Sequence, residues 1–317
     1  ASLGSLALLL WLTSRLSGLL VRYAMGTIAV AELVWFAWGY NPQVSRETFY
    51  PQREFVTYLA ERIGDGRICG LGGAFYPNVS MMYGLRDIRG YDAVDPTPYV
   101  ELLRAITPGL PTQALTWQFM SGPSPVLDML GVRYIIAHKQ ASGIWEEPIQ
   151  LNGLWIYHNT RALPRVFVPR RVTHVPRSDL RLRMLARPDF DPRALAILTE
   201  PIDFSVSEAQ GSADLTEEDP CRLIIRVRNT TESVVVLADA WASGWKVSVD
   251  GKPARALQAN HALRAVHVLA GEHVVEWRYE PLSVRLGLVT AGASLITWAV
   301  WCCVLLWKRK RPGATAT

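Results

Sequence analysis

The C-terminal stretch at residues 286–307 reads LGLVTAGASLITWAVWCCVLLW and contains no charged side chain. About 22 residues of α-helix reach roughly 33 Å, which is enough to cross a bilayer core of ~30 Å. A helix of this length in a soluble protein would normally carry a polar stripe. The stretch therefore predicts a transmembrane helix, and its orientation determines the compartment of everything that precedes it.

A cluster of basic residues follows this helix directly and consists of Lys308, Arg309, Lys310 and Arg311. Lys and Arg beside a span are retained on the cytoplasmic side. We therefore expect residues 308–317 to form a basic cytoplasmic tail. The main domain is then expected on the periplasmic, outer face of a bacterial inner (cytoplasmic) membrane, where anionic lipids are available as partners. Three tryptophans of the helix are expected to help anchor it, namely Trp298, Trp301 and Trp307.

A second apolar segment, residues 23–40, is predicted to be another transmembrane helix. Trp35, Trp38 and Tyr40 lie near its far end, where aromatic side chains prefer the membrane interface. Arg22 precedes the segment, so its start is expected in the cytoplasm and its exit on the outer face. Glu32 lies inside it, and we favour a carboxyl that is protonated or hydrogen-bonded to a neighbouring helix over a functional one. Residues 1–22 are apolar or amphipathic, and whether residues 3–20 span the membrane is left open.

Composition supports a polar domain carried by a few membrane helices. The chain has 317 residues, of which 50% are hydrophobic and 19% are charged. The first figure is high for a soluble protein, and the second is high for a polytopic membrane protein. The formal charge of +5 includes the four positive charges of the C-terminal cluster, so we expect no nucleic-acid partner.

Residues 41–200 are predicted to form an external α/β subdomain. Helices are expected after Pro51 and over residues 98–106 and 124–131, and strands over residues 67–71, 132–137, 155–158 and 165–168. Residues 178–186 and 192–198 are further helical candidates. Mixed short helices and strands of this kind favour a small layered domain.

Residues 201–281 are predicted to form an antiparallel, jelly-roll-like β-sandwich, which makes the overall class α+β. Leu223, Ile225 and Val227 alternate with charged residues, as in a half-buried strand. Asp250-Gly251 predicts a hairpin between residues 245–249 and 252–257, and Ala270-Gly271 a second one between 262–269 and 273–280. The last strand leads almost directly into the C-terminal helix.

Several motifs together resemble one known family. They read GGAFYPNVSMMYGLRDIRGYDAVDP at residues 72–96, LDMLGVRYIIA at 127–137, LPRVFV at 163–168, WASGWKVSVDGKPARAL at 241–257 and VHVLAGEHVVEWRYEP at 266–281. They are similar to the C-terminal region of the YfhO-like bacterial membrane proteins, over roughly residues 21–307. The resemblance implies a GT-C-type glycosyltransferase that transfers sugar from a lipid-phosphate carrier to a cell-envelope acceptor. The N-terminal catalytic half of that family, with its acidic loop, has no counterpart in this sequence.

Local catalytic candidates are Asp87, Asp92 and Asp95, in an acidic loop with two arginines. We favour turn and capping roles for them over catalysis. The run from Gly70 to Gly73 lacks the spacing of a phosphate-binding loop, so a tight turn is expected. No cofactor and no metal site are predicted from the six scattered histidines.

Two further features leave alternatives open. Cys69 and Cys221 would lie where a disulfide is permitted, but nothing in the sequence fixes their separation. A diffuse basic stretch could contact anionic lipid headgroups or the acidic surface of a partner, or it could be a solvated surface. Its residues are Arg161, Arg165, Arg170, Arg171, Arg177, Arg181, Arg183 and Arg187.

Two functional hypotheses follow from these features. The favoured one is a non-catalytic, membrane-anchored accessory subunit that stabilises a larger complex of integral membrane proteins; an energy-transducing assembly is one candidate. The alternative is the C-terminal part of a glycosyltransferase. The missing acidic loop favours the first hypothesis, and the closeness of the resemblance favours the second.

Overall fold

The computed structural model describes residues 18–40, 44–91, 94–107, 109, 122–140, 147–204 and 208–310. The chain divides into two units, residues 1–52 and 53–317. Residues 1–17 and 311–317, and with them most of the predicted N-terminal segment, Arg311 and most of the basic tail, lie outside the described residues. The side chains of Lys308, Arg309 and Lys310 are likewise outside the description.

The first unit contains helix α1 (Gly18–Ala37) and the short helix α2 (Arg46–Phe49). The apolar part of α1 is Tyr23–Ala37. About 15 residues of helix reach roughly 22 Å, which is less than a bilayer core. Trp38 and Tyr40 follow the helix in a turn that is closed by the Trp38 N–H donating to the Val34 carbonyl at 2.8 Å. The predicted span at residues 23–40 is therefore not continuous helix, because the chain turns after Ala37.

The second unit begins with a layered α/β part. Its elements are α3 (Glu54–Arg62), β1 (Arg67–Gly70), a 3₁₀ turn (Val79–Tyr83), α4 (Thr97–Ala105), α5 (Pro125–Met129), β2 (Val132–Ala137), β3 (Ile149–Leu151), β4 (Leu154–His158), β5 (Val166–Phe167), β6 (Arg171–His174), α6 (Ser178–Leu185) and β7 (Leu195–Leu198).

Eight further strands and one helix complete the second unit. They are β8 (Gly211–Asp219), β9 (Arg222–Asn229), β10 (Ser233–Ala240), β11 (Trp245–Val249), β12 (Lys252–Ala254), β13 (Ala256–Ala259), β14 (Leu263–Val268), β15 (Gly271–Tyr279) and α7 (Leu282–Lys310).

Sheet A has the strand order β1-β2-β4-β3, with β1 and β2 parallel and the other pairs antiparallel. One face, with Ile68 and Tyr134, packs against α3. The opposite face, with Cys69 and Ile135, packs with residues of α4 and α5. Ser124 starts α5 as expected, because its hydroxyl accepts a hydrogen bond from the Leu127 N–H at 3.3 Å.

Sheets B and C share one apolar layer. Sheet B has the order β5-β10-β14-β13-β7-β6, and sheet C has the order β12-β11-β15-β9-β8. Leu237 and Val266 of sheet B meet Ile225 and Trp277 of sheet C between the sheets. The other face of sheet B packs with α4, α5 and α6. Seven consecutive residues of β10 are therefore buried, and the strand reads as an apolar run rather than as an alternation.

These features confirm the α+β class, in the form of three sheets. The sequence division at residue 200 does not separate two cores, however. Sheet B takes β5, β6 and β7 from before that point and β10, β13 and β14 from after it. One apolar cluster also joins residues from both segments, so they share a core.

Three local predictions were wrong. Residues 192–198 do not form a helix, because Leu195–Leu198 becomes a buried strand between β6 and β13. Strands β14 and β15 do not form a hairpin, because the chain passes from sheet B to sheet C between them. The hairpin at Asp250-Gly251 is present, but its second strand ends at Ala254 and residues 256–259 join sheet B instead.

Helix α7 is long enough to cross a membrane and apolar enough to do so. The apolar part runs over Leu282–Trp307, and none of its most apolar stretch is buried in the protein. Among the described residues it is the one helix that meets both conditions. It starts four residues earlier than the predicted boundary at 286. All three predicted tryptophan anchors on it, Trp298, Trp301 and Trp307, are exposed, as are Trp35, Trp38 and Tyr40 of the first unit.

Trp277→Ala should test the layer between sheets B and C. Trp277 is 1% exposed, so its truncation should lower the free energy of unfolding by about 3–5 kcal/mol through the cavity that it leaves. Denaturant unfolding of the detergent-solubilised chain, followed by circular dichroism, measures the change. Val274→Ala, on the exposed face of the same strand, is the matched control and should change stability by less than about 0.5 kcal/mol.

Candidate functional site at the base of the apolar helix

The junction between β15 and α7 is fixed by backbone hydrogen bonds and ion pairs. The Tyr279 N–H donates to the Cys221 carbonyl at 2.8 Å, and the Glu280 N–H donates to the Gly244 carbonyl at 2.7 Å. The Glu280 carboxylate accepts from Lys246 Nζ at 3.1 Å and from Arg285 Nη2 at 2.6 Å. Arg285 lies in the first turn of α7, so one carboxylate joins the helix to strand β11.

Gly244 permits the close approach of the chain at this junction. A Cβ atom on Gly244 would lie 2.6 Å from Tyr279 Cε2 and 3.0 Å from Pro281 Cβ. The neighbouring Trp245 ring packs against the Tyr279 ring with 5.1 Å between their centroids. The start of α7 is thereby held against the end of sheet C without a flexible linker.

A buried charged cluster, which we call the Asp239 cluster, lies behind this junction. It consists of Asp239 with Arg67, Arg165 and Arg264. Arg165 binds both carboxylate oxygens, with Nε–Oδ1 at 2.9 Å and Nη2–Oδ2 at 2.8 Å, and Arg264 donates to Oδ2 at 2.7 Å. Arg67 donates to Oδ1 and also to the Ala238 carbonyl. Arg67 belongs to sheet A and the others to sheet B or its edge, so the cluster joins the two sheets.

Arg264 connects the cluster to the helix junction. Its guanidinium lies 3.9 Å from the Trp245 ring centroid and 5.5 Å from that of Trp277. Burial lowers the pKa of Arg264 to about 10, despite the opposing charge of Asp239. Cation–π contact with two indoles stabilises a guanidinium that Asp239 alone does not neutralise.

Glu218 extends the network to sheet C. Its carboxylate accepts from Arg165 Nη1 at 2.6 Å and also binds Arg86. Burial alone would raise the pKa of Glu218, but the hydrogen bonds and charges of Arg165 and Arg86 outweigh it and lower the pKa. Burial would also raise the pKa of Asp239, but its hydrogen bonds to and the charges of the three arginines hold it far below its usual range. Both carboxylates are therefore ionised at neutral pH.

A cleft of about 460 Å³ opens beside Glu218. Its walls include Arg86, Asp65, Asp214 and Glu217, so most of its charged side chains are acidic. Glu217 is itself paired with Arg222 at 2.9 Å, and Asp65 with Arg133 at 3.3 Å. The arrangement offers hydrogen-bond acceptors to a polar or cationic group.

Two of the three predicted acidic candidates, Asp87 and Asp95, lie in the described part of the chain. Asp87 is buried and binds Arg89 through both oxygens, with Oδ1–Nε at 3.0 Å and Oδ2–Nη2 at 2.7 Å. It also accepts the Arg89 backbone N–H at 2.9 Å, which makes it the acceptor of a turn. Asp92 lies outside the described residues. Asp95 is described, but it belongs to no group of three potential metal ligands within the described part of the chain.

The glycine run after β1 forms a tight turn. The Ala74 N–H donates to the Leu71 carbonyl at 3.0 Å, and a Cβ on Gly70 would lie 1.8 Å from the Ala74 carbonyl oxygen. Gly72 and Gly73 have positive φ angles of 58° and 80°, which glycine adopts without strain. This geometry confirms the expected turn.

The cysteines and histidines have separate surroundings. Cys69 is buried and Cys221 is exposed, and both are free thiols. Burial raises the pKa of the Cys69 thiol, which keeps it neutral. His261, His267 and His273 each contact a different carboxylate, respectively those of Glu101, Glu232 and Asp250. Where the chain is described, no three potential ligands gather around one point.

Most arginines of the basic stretch at residues 161–187 are paired with nearby groups of the protein. Arg165 belongs to the Asp239 cluster, and Arg181 donates to the Val175 and Pro176 carbonyls at 2.7 Å. Arg177 and Arg187 each bind a carboxylate two residues ahead. The sequence did not indicate the Asp239 cluster, although the single charges within the apolar strands β10 and β14 were a usable signal.

The chain matches no family model, no curated protein and no solved structure. The resemblance to YfhO-like proteins therefore remains an expectation from the sequence.

Asp239→Asn should destabilise the protein strongly. The change removes the carboxylate charge that Arg67, Arg165 and Arg264 share and leaves Arg165 with Glu218 alone, and breaking a buried pair costs about 3–5 kcal/mol. Denaturant unfolding at neutral pH measures the loss. Asp214→Asn, at an exposed position of β8 on the edge of sheet C, should stay within about 0.5 kcal/mol of the wild type, and an equal loss in both variants would contradict the assignment.

Glu218 should make stability depend on pH. Its pKa is lower in the folded chain, so its stabilising effect is complete above the unfolded value of about 4.5 and is lost as pH falls through the folded value. Glu218→Gln should therefore lower the free energy of unfolding by about 1–2 kcal/mol at neutral pH. The difference in stability between the variant and the wild type should become smaller in acid. Unfolding of both chains across a pH series tests this, and a gap that widens in acid would show the opposite sign.

Proposed function

We propose that the chain is a membrane-anchored, extracytoplasmic accessory module that docks onto an integral membrane protein and does no chemistry itself. The proposal places the jelly-roll-like sandwich and the α/β layer on the outer face of a bacterial inner membrane, with the C-terminus in the cytoplasm. The observation that carries it is an exposed apolar surface on the α/β layer, combined with a helix that joins the module without a linker.

The exposed surface, which we call the tyrosine–methionine surface, consists of Tyr76, Met81, Met82 and Tyr91. These side chains are between 41% and 68% exposed. Asn78 holds the two chain segments together, because its amide donates to the Tyr91 carbonyl at 2.9 Å and its side-chain oxygen accepts the Tyr91 N–H at 3.3 Å. Tyrosine and methionine are enriched at protein interfaces, and methionine adapts to irregular partner surfaces. An ordered loop that exposes them supports a protein partner.

The engagement of Asp87 supports a structural part for the predicted acidic loop. Both of its oxygens and a backbone amide are used within the turn, and Arg89 is fully buried beside it. A carboxylate that serves as a general base needs access to an acceptor hydroxyl. This argument favours the accessory hypothesis over catalysis at Asp87.

The accessory function predicts a specific partner at the tyrosine–methionine surface. A photo-crosslinking amino acid at Met81 should give one dominant crosslink to an integral membrane protein in native membranes, identified by mass spectrometry after mild detergent extraction. The same crosslinker at Arg226, on the outer face of sheet C, is the control and should give at most weak crosslinks. Crosslinks only to lipid, or equal patterns at both positions, would reject the proposal.

The glycosyltransferase alternative has one supporting observation, the acidic cleft of about 460 Å³ between the edges of sheets B and C. It lies along β8, whose last residues are close to the α7 junction through the Cys221–Tyr279 hydrogen bond. Co-purification of a polyprenyl-phosphate sugar with the full chain, and its loss in Asp65→Asn with Asp214→Asn, would favour this alternative. Retention of the sugar in the double variant would place any carrier elsewhere.

A further inference from the structure

The groove between α4 and α6 combines an apolar floor with two arginines at its sides. It has a volume of about 400 Å³ and is mostly apolar, with Ala105, Leu182 and Ala186 among its lining residues. Arg104 and Arg183 lie at its sides. Some charged groups of the groove have partners within the protein and others do not. The groups without partners indicate what kind of ligand would fit.

The two carboxylates of the groove are already engaged. Glu101 binds His261 Nε2 at 2.7 Å, and Asp179 gives both its oxygens to Arg177, at 3.0 and 2.7 Å. Arg183 approaches Asp179 only at 3.9 Å. Each carboxylate therefore has a hydrogen-bond partner other than the two arginines that line the groove.

Unpaired donors remain on Arg104, which lines the groove, and on Arg181, which belongs to α6 but not to the lining. Arg104 Nε and Arg181 Nε are buried and have no hydrogen-bond partner in the protein. Arg181 is 8% exposed overall, and its Nη1 is spent on two backbone carbonyls. Buried guanidinium N–H groups without partners are unfavourable, and an anionic group in the groove would provide an acceptor for Arg104.

The groove lies at the end of the sandwich from which α7 leaves. His261, which binds Glu101 of α4, is in the turn between β13 and β14. Leu263, at the start of β14, pairs with Ala240 at the end of β10. The N–H of Trp241, which follows Ala240, donates to the Ala262 carbonyl at 2.7 Å. The chain then returns as β11, whose Trp245 pairs with Tyr279 beside the start of α7. A module anchored by α7 therefore brings this end towards the bilayer.

We propose that the groove between α4 and α6 binds one anionic phospholipid, with an acyl chain against Ala105, Leu182 and Ala186 and the phosphate at Arg104 and Arg183. The occupant is argued from charge complementarity and from the position of the groove at the anchored end. This inference rests on the proposed membrane anchoring by α7. It goes beyond that anchoring because it names a particular lipid class and its site.

The test uses the full chain in lipid nanodiscs made of phosphatidylcholine alone or of phosphatidylcholine with phosphatidylglycerol. Native mass spectrometry counts the lipids that remain bound after release from the disc. We expect the wild type to retain phosphatidylglycerol in preference to phosphatidylcholine. Arg104→Ala with Arg183→Ala should reduce that preference about tenfold, whereas the matched control Arg226→Ala with Arg228→Ala on sheet C should keep it.

A second variant separates the groove from general charge effects. Ala105→Trp fills the apolar floor and keeps every arginine, so it should also abolish the preference while thermal melting shows a folded chain. A folded Ala105→Trp variant that binds phosphatidylglycerol like the wild type would overturn the proposal.

The outcome also distinguishes this inference from the anchoring on which it rests. A chain that enters both kinds of nanodisc equally, but retains no phosphatidylglycerol preferentially, would reject the lipid site and leave the anchor intact. A chain that enters neither kind would reject the anchor itself. A preference that persists in the arginine double variant would reject the groove as the site.

Discussion

The Asp239 cluster is the interaction on which the arrangement of the three sheets depends. Arg67 brings sheet A to it, Arg165 and Arg264 hold it within sheet B, and Glu218 carries it to sheet C. A single buried carboxylate cannot balance the charge of three guanidinium groups. Glu218 provides a second negative charge, and two indole rings stabilise Arg264 through cation–π contact. Apolar packing alone would permit many relative positions of the sheets, whereas this set of bonds has one geometry.

Local patterns predicted the elements better than their assembly. The alternation of Leu223, Ile225 and Val227 and the Asp250-Gly251 turn were sufficient to predict β9 and the β11–β12 hairpin, because these signals act over a few residues. Residues 195–198 were different, since a short apolar run does not distinguish a buried strand from a helix. Their strand conformation comes from pairing with β6 and β13, which only the folded chain provides.

The candidate site shows the same limit more sharply. Asp87 was recognisable as a turn residue with Arg86 or Arg89 as its partner, but a sequence does not display that its pair with Arg89 is buried. Arg67 and Asp239 are 172 positions apart, so no spacing rule connects them. The helix junction was partly predictable, because a strand pattern runs almost directly into an apolar stretch. Its fixation by Glu280, Lys246 and Arg285 required the three-dimensional register.

The position of β15 in sheet C has a consequence for biosynthesis. Among the described residues this strand comes last along the chain, yet it lies between β11 and β9 in the middle of the sheet. Sheet C therefore lacks its central strand until residue 279 has been synthesised. Until then the strands that precede β15 cannot complete the sheet, and their apolar faces are uncovered. Folding of such a chain depends on prompt completion of synthesis, or on a chaperone that shields the unpaired strands.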